Sequence, residues 1–133
     1  MFDVFISYVH GQSVAETMSK ALEATGLTTF IDTKLAMGSP LVASINRALK
    51  ESRSFLLIID ERFTTSDWTN IETQVAIMSA IQNKKVFPLL IDQKAKEFWV
   101  HENPLYANYL GRTWAESSPE ELAKEITSIL NEN

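Results

Sequence analysis

Short apolar runs rich in β-branched and aromatic residues alternate along this chain with stretches whose apolar residues recur at helical spacing. Nothing else in the sequence narrows the fold as much. Phe2–Ser7 (FDVFIS) reads as a first strand. Ser13 and Glu16 then spell an S-x-x-E capping box, with Val14, Met18, Ala21 and Leu22 on one helical stripe and Gly26 as the stop. Leu27–Ile31 is a second strand and Thr33–Gly38 a loop. Ser39 as N-cap and Pro40 at the first helical position open a helix that turns Val42, Ile45 and Leu49 inward. Ser54–Ile59 (SFLLII) is hydrophobic throughout, as a strand covered on both faces is. A third helix is expected over Trp68–Gln82, capped by Ser66 or Asp67, and a fourth strand over Lys85–Ile91. Pro88 removes a ladder donor there and predicts an edge-like or bulged segment. Gln93–Tyr109 has no clear period and reads as irregular, and Leu110–Trp114 is a short fifth strand. Ser118, Pro119 and Glu121 open a last helix bearing Leu122, Ile126, Ile129 and Leu130.

This alternation predicts an α/β fold, a flavodoxin-like doubly wound parallel sheet of about five strands with helices on both faces and right-handed crossovers. Residues 1–133 fit a single domain, large enough to bury a core of its own. In such folds ligands sit beyond the carboxyl ends of the strands, so Tyr8–Gln12, Asp32–Gly38 and Asp60–Asp67 are the segments expected to border a site.

Composition removes several functions. With no cysteine there is no disulfide scaffold, thiolate nucleophile or thiolate metal site, and His10 and His101 lie too far apart in sequence for zinc-ligand spacing. A net charge of −5 opposes nonspecific nucleic-acid binding. The longest apolar stretches, Phe55–Ile59 and Val86–Ile91, are too short to span a bilayer, and the first lysine is Lys20, so a cytoplasmic location is expected. The phosphate loop G-x-x-x-x-G-K-[S/T], the dinucleotide fingerprint G-x-G-x-x-G and the nucleophile elbow G-x-S-x-G are all missing. A phospho-acceptor receiver needs acidic residues after the first strand, where Ser7 and Tyr8 stand; Asp60 alone does not make one.

The remaining signal lies on the third helix. Trp68 and Glu72 are one turn apart and share a face, and Ile71, Val75 and Met78 form a stripe expected to pack on the sheet. A carboxylate beside such a stripe is either a functional group held there against a desolvation cost or a solvated acid near the helix start, favoured by the dipole.

Taken in order, FDVFISY (Phe2–Tyr8), FID (Phe30–Asp32) with MGSPL (Met37–Leu41), SRSFLLII (Ser52–Ile59), SDWTNIE (Ser66–Glu72) and VFPLLI resemble the TIR (Toll/interleukin-1 receptor) domain family over essentially the whole chain. The W-x-x-x-E segment is similar to that of its enzymatic, prokaryotic-type branch. Enzymatic members hydrolyse NAD or cyclise it, whereas adaptor members of animal immune receptors only assemble. The resemblance implies that Glu72 is the catalytic carboxylate, with Trp68 its partner. It places Ser7, Tyr8 and His10 beside the nucleotide, and Asp32, Lys34 and Leu41 as contacts from the loop before the second helix. NAD is then a substrate, and neither a cofactor nor a metal is called for. Val9 and His10 stand where some members carry arginine, and Lys34 is the one charged residue of the Thr33–Gly38 loop, so phosphate and ribose contacts differ here.

The residues alone also allow Tyr8 to be a strand-end aromatic, His10 a loop histidine, Asp32 a turn starter and Lys34 a solvated charge. Trp99, Tyr106 and Trp114 read as packing residues. The resulting expectation is an NAD glycohydrolase or cyclase in immune or stress signalling, assembling head to tail through its loop. A charge at Leu35 is expected to break that assembly. The alternative is a silent module acting by TIR–TIR assembly.

Overall fold

The computed structural model describes residues 1–61, 75, 79, 82, 85–102, 112–114 and 117–132. In chain order the elements are β1 (Phe2–Tyr8), α1 (Gln12–Ala24), β2 (Thr29–Asp32), α2 (Leu41–Glu51), β3 (Ser52–Ile59), β4 (Lys85–Leu90), α3 (Gln93–Glu102), β5 (Arg112–Thr113) and α4 (Pro119–Asn131). The strands pair in the order β2-β1-β3-β4-β5, all parallel. This is the doubly wound arrangement expected, and its order reverses between β1 and β3, where such folds open a crevice.

The two-residue period of the strands divides the core. Phe5, Phe55, Leu57, Ile59 and Leu90 point to one face and are covered by Leu41, Ile45 and Ala48 of α2, Ala95 of α3 and the loop residue Leu35. Val4, Ile6, Tyr8, Leu56, Ile58 and Leu89 point to the other. There Val14, Met18 and Leu22 of α1 and Leu122, Ile126 and Leu130 of α4 cover them. β1 and β3 are thus apolar on both sides because each side has its own helix layer.

Local chemistry explains most element ends. Gly26 at φ 94° closes α1 in a Schellman motif, with Gly26 N–H donating to Glu23 O at 2.9 Å and Leu27 N–H to Leu22 O at 3.3 Å. Ser118 caps α4, its hydroxyl accepting from Glu121 N–H at 3.1 Å with Pro119 in the first turn. Other expectations are corrected. The Ser13 capping box does not form: α1 starts two residues earlier than that cap would place it, and Gly11 is its N-cap with no side-chain cap. Gly11 sits at φ 109°, and a Cβ there would lie 3.2 Å from Ile91 Cδ1, so the β1–α1 turn passes too close to the core for a side chain. Pro40, not Ser39, is the N-cap of α2.

Gln93–Glu102, expected to be irregular, is a helix whose start is capped by Asp92, which accepts from Ala95 N–H at 2.8 Å. Pro88 pairs in register with Leu57 of β3, and the described pairing of β4 with β5 involves only Leu89 and Leu90, so β4 is an inner strand at its carboxyl end. Val75, Ser79 and Gln82 are helical, but Val75 is 62% exposed and does not cover the sheet as its stripe predicts.

Candidate functional site

Two polar groupings occupy the carboxyl ends of the strands. The first is built around Asp32, the last residue of β2. It stands in register with Ser7 of β1. The Asp32 side chain is only 2% exposed, and donors take up both of its oxygens. Oδ2 accepts from Ser44 Oγ at 2.7 Å, from Arg47 Nη2 at 2.8 Å and, at a long 3.5 Å, from Ser7 Oγ. Oδ1 accepts from the Lys34 backbone N–H at 3.1 Å, the start of the loop to α2. Burial pushes the Asp32 carboxyl up, but the bonds from Ser44, Arg47 and the Lys34 amide, with the Arg47 charge, together hold it below the ordinary carboxylate value. This carboxylate is ionised and already satisfied, so its role is to tie β2, the loop and α2 together.

The second grouping spans the crevice itself. His10, in the turn after β1, places Nδ1 3.3 Å from Oδ2 of Asp60, the residue after β3. The pair thus bridges the point where strand order reverses. Next to it the Glu61 N–H donates to Asp92 Oδ2 at 2.8 Å, and Lys94 Nζ pairs with Glu61 Oε1 at 2.8 Å, joining the end of β3 to the start of α3.

The sequence-chosen residues therefore separate. Ser7 and Asp32 meet. His10 reaches the crevice and pairs there with Asp60. Tyr8 is buried in the apolar layer under α1, and its phenol is pushed up chiefly by that burial and also by the Glu16 and Asp32 carboxylates. Lys34 contributes its backbone amide to Asp32, while its side chain is exposed. Leu41 is fully buried against Phe5 and Ile45, which leaves it no surface for a ligand; it is a core residue. Leu35 is buried in the same cluster, so a charge there would break the core before it tested any assembly. The exposed apolar tip of the loop is instead Met37, at 82%. Glu72 and Trp68 lie outside the described residues.

Sequence reasoning missed Asp60 as the partner of His10, and Ser44 and Arg47 as partners of Asp32. Ser44 and Arg47 are three residues apart on one helical face, a spacing that marks a polar pair but not what it faces. Among the described residues no group of three or more His, Asp or Glu side chains is placed to hold a metal ion, and no helix is long and apolar enough to cross a membrane. A groove of about 470 Å³ between α1 and α4, with Lys20, Lys124 and Glu120 on its walls, is lined by none of the described candidate site residues.

Comparison with known proteins gives these features a setting. The disease resistance protein RUN1 of Vitis rotundifolia is 31% identical over 97 residues, 66% of this chain, and the chain spans only 7% of the length of that relative. Among solved structures, the metazoan TIR-STING receptor from C. gigas superposes with a TM-score of 0.61 at 18% identity, over 99% of this chain and 41% of that one. The RPS4 and RRS1 TIR domain heterodimer gives 0.59 at 18% identity, over 98% and 96% of the two chains. At these identities the structural likeness speaks for the fold. A family model described as TIR domain matches residues 4–126, which is nearly the whole chain, and the chain belongs to the TIR domain family.

Proposed function

We propose that this chain is an NAD glycohydrolase or cyclase of the enzymatic, prokaryotic-type TIR branch, a single cytoplasmic domain with Glu72 as its catalytic carboxylate. The observation that carries the reading is the W-x-x-x-E segment, Trp68 to Glu72, in a chain that belongs to the TIR family. The polar residues gathered at the strand ends support it, because a dinucleotide needs fixed polar groups in the crevice of a doubly wound sheet.

The chemistry suits a carboxylate. The bond between nicotinamide nitrogen and ribose C1′ breaks with its electron pair, and nicotinamide leaves neutral, so little general-acid help is needed. The barrier is the oxocarbenium character left on the ribose. Glu72 accepts hydrogen bonds from the ribose hydroxyls and stabilises the growing positive charge, and Trp68 walls the pocket. Water then forms the new C1′–O bond and releases a proton, or an adenine nitrogen captures C1′ and closes a ring. NAD is consumed as substrate, and no cofactor takes part.

The second reading is a module that signals by TIR–TIR assembly. It is supported by the exposed Met37 at the tip of the loop before α2 and by the heterodimer form of one structural neighbour. The two readings meet if head-to-tail assembly through the loop completes the pocket. Chromatography of NAD incubated with the protein across a hundredfold concentration range decides between them. Released nicotinamide, with specific activity rising with concentration, fits an assembly-dependent enzyme. No nicotinamide at any concentration leaves the assembly module.

A further inference from the structure

We infer that Arg47, acting through Asp32, is a positioning residue that fixes the 33–38 loop in the shape that borders the crevice. The wider importance of that loop rests on the NAD-cleaving reading; the latch itself does not.

The contact reaches the loop through the two oxygens of Asp32. Arg47 reaches Asp32 end-on, through Nη2 alone, and shares that nitrogen with Ser44 Oγ at 3.1 Å. Its Nε is buried with no hydrogen-bond partner among the described residues. Replacing a buried ion pair by apolar side chains is often neutral or stabilising. The pair is therefore better explained by what it positions. The other Asp32 oxygen holds the Lys34 amide, and the loop closes on itself from there: Met37 N–H donates to Thr33 O and Lys34 O, Gly38 N–H to Leu35 O and Ser39 N–H to Lys34 O. Leu35 is the apolar anchor of the turn, and Asp32 the polar one. With Leu35 inward and Lys34 tied back, Met37 is left projecting to solvent. Arg47, 25% exposed on the second turn of α2, neutralises the carboxylate on which this hinges.

Hydrogen exchange tests this. In Arg47→Met, which keeps bulk and removes the charge, amides 34 and 37–39 should exchange at least about tenfold faster, the loss expected when a hydrogen bond to a charged group is weakened. Amides in α2 and β1 should keep their protection, and Arg47→Lys should restore part of the loop's. Wild-type loop exchange in folded Arg47→Met overturns the inference, and so does an equal loosening of α2, which would mean that Arg47 only holds its own helix. If Arg47→Met does not fold, Arg47→Gln removes the charge and keeps a hydrogen-bond donor; it should speed loop exchange severalfold, and unchanged loop exchange would overturn the inference. Where the wild type cleaves NAD, Arg47→Met should raise KM more than it lowers kcat. A wild type that releases no nicotinamide defeats the enzymatic reading and leaves the exchange test standing.

Discussion

The two ends of the sheet use the same chemistry for different purposes. At the amino end, Asp3 accepts from the Thr28 backbone N–H at 2.9 Å and from Arg53 Nη1 at 2.9 Å, while Arg53 Nη2 donates to Leu130 O at 3.0 Å. Those bonds join β1, β3, the approach to β2 and the end of α4, and Arg53 is 47% exposed. At the carboxyl end, Asp32 is buried and its donors come from β1, a loop and α2. One ion pair is solvated and sews regular elements together; the other is desolvated and fixes a loop. Screening makes the first weak, and burial makes the second costly to disturb. The desolvated pair stands at the end of the sheet where doubly wound folds bind ligands.

Substitutions at the two ends should differ in their effects. The largest effect is expected within the loop: Leu35→Asp buries an unpaired charge and should cost several kcal/mol, enough to lose the fold, whereas Met37→Asp at the exposed tip should leave the melting temperature alone. Equal stability of the two variants by thermal melting would contradict the inward anchoring of Leu35. Next comes Asp32→Asn, which leaves Arg47 without its carboxylate; a loss of roughly 2–3 kcal/mol in urea unfolding is expected, at the low end for a buried pair because Arg47 is partly exposed. Asp3→Asn, removing only one side of a solvated pair, should cost about 1 kcal/mol or less. If the two asparagine variants lose the same amount, the distinction between the ends fails.

Acid unfolding sharpens the same comparison. The Asp3 carboxyl is lowered chiefly by the Thr28 amide, and that of Asp32 is lowered against its own burial by Ser44, Arg47 and the Lys34 amide. For a carboxylate whose folded value lies below its unfolded one, the stabilisation is present above the unfolded value and is lost as pH falls through the folded one. Wild-type stability should therefore be level near neutrality and decline below about pH 4. Asp32→Asn and Asp3→Asn should each flatten that decline; an unaltered slope in Asp32→Asn would mean that its carboxylate gains nothing on folding.

Much of this architecture is legible in the sequence. The strand–helix alternation gives the parallel sheet, Gly26 and Ser118 mark their helix ends, and the apolar continuity of Ser54–Ile59 reports two covered faces. The errors fall where tertiary contacts override local signals. Ser13 looks like a cap, but the tight turn after β1 gives that place to Gly11, whose neighbours Ile58 and Ile91 are remote in sequence. Asp92 caps a helix whose apolar residues are too sparse to announce it. The site is less legible than the fold. Asp32 is recognisable as a strand-end acid, yet its saturation by donors 12 and 15 residues further on follows only from how α2 lies against β1 and β3. His10 and Asp60 meet because β1 and β3 are neighbours, a pairing invisible to local spacing.

The most direct test of the central claim is the turnover of Glu72→Gln beside the wild type, with NAD as substrate and the melting of both proteins measured. The substitution keeps the shape of the side chain and removes its charge. Nicotinamide release by the wild type is expected, with a fall of about two to four orders of magnitude in the variant and melting unchanged. Wild-type rates in a folded Glu72→Gln protein would contradict it.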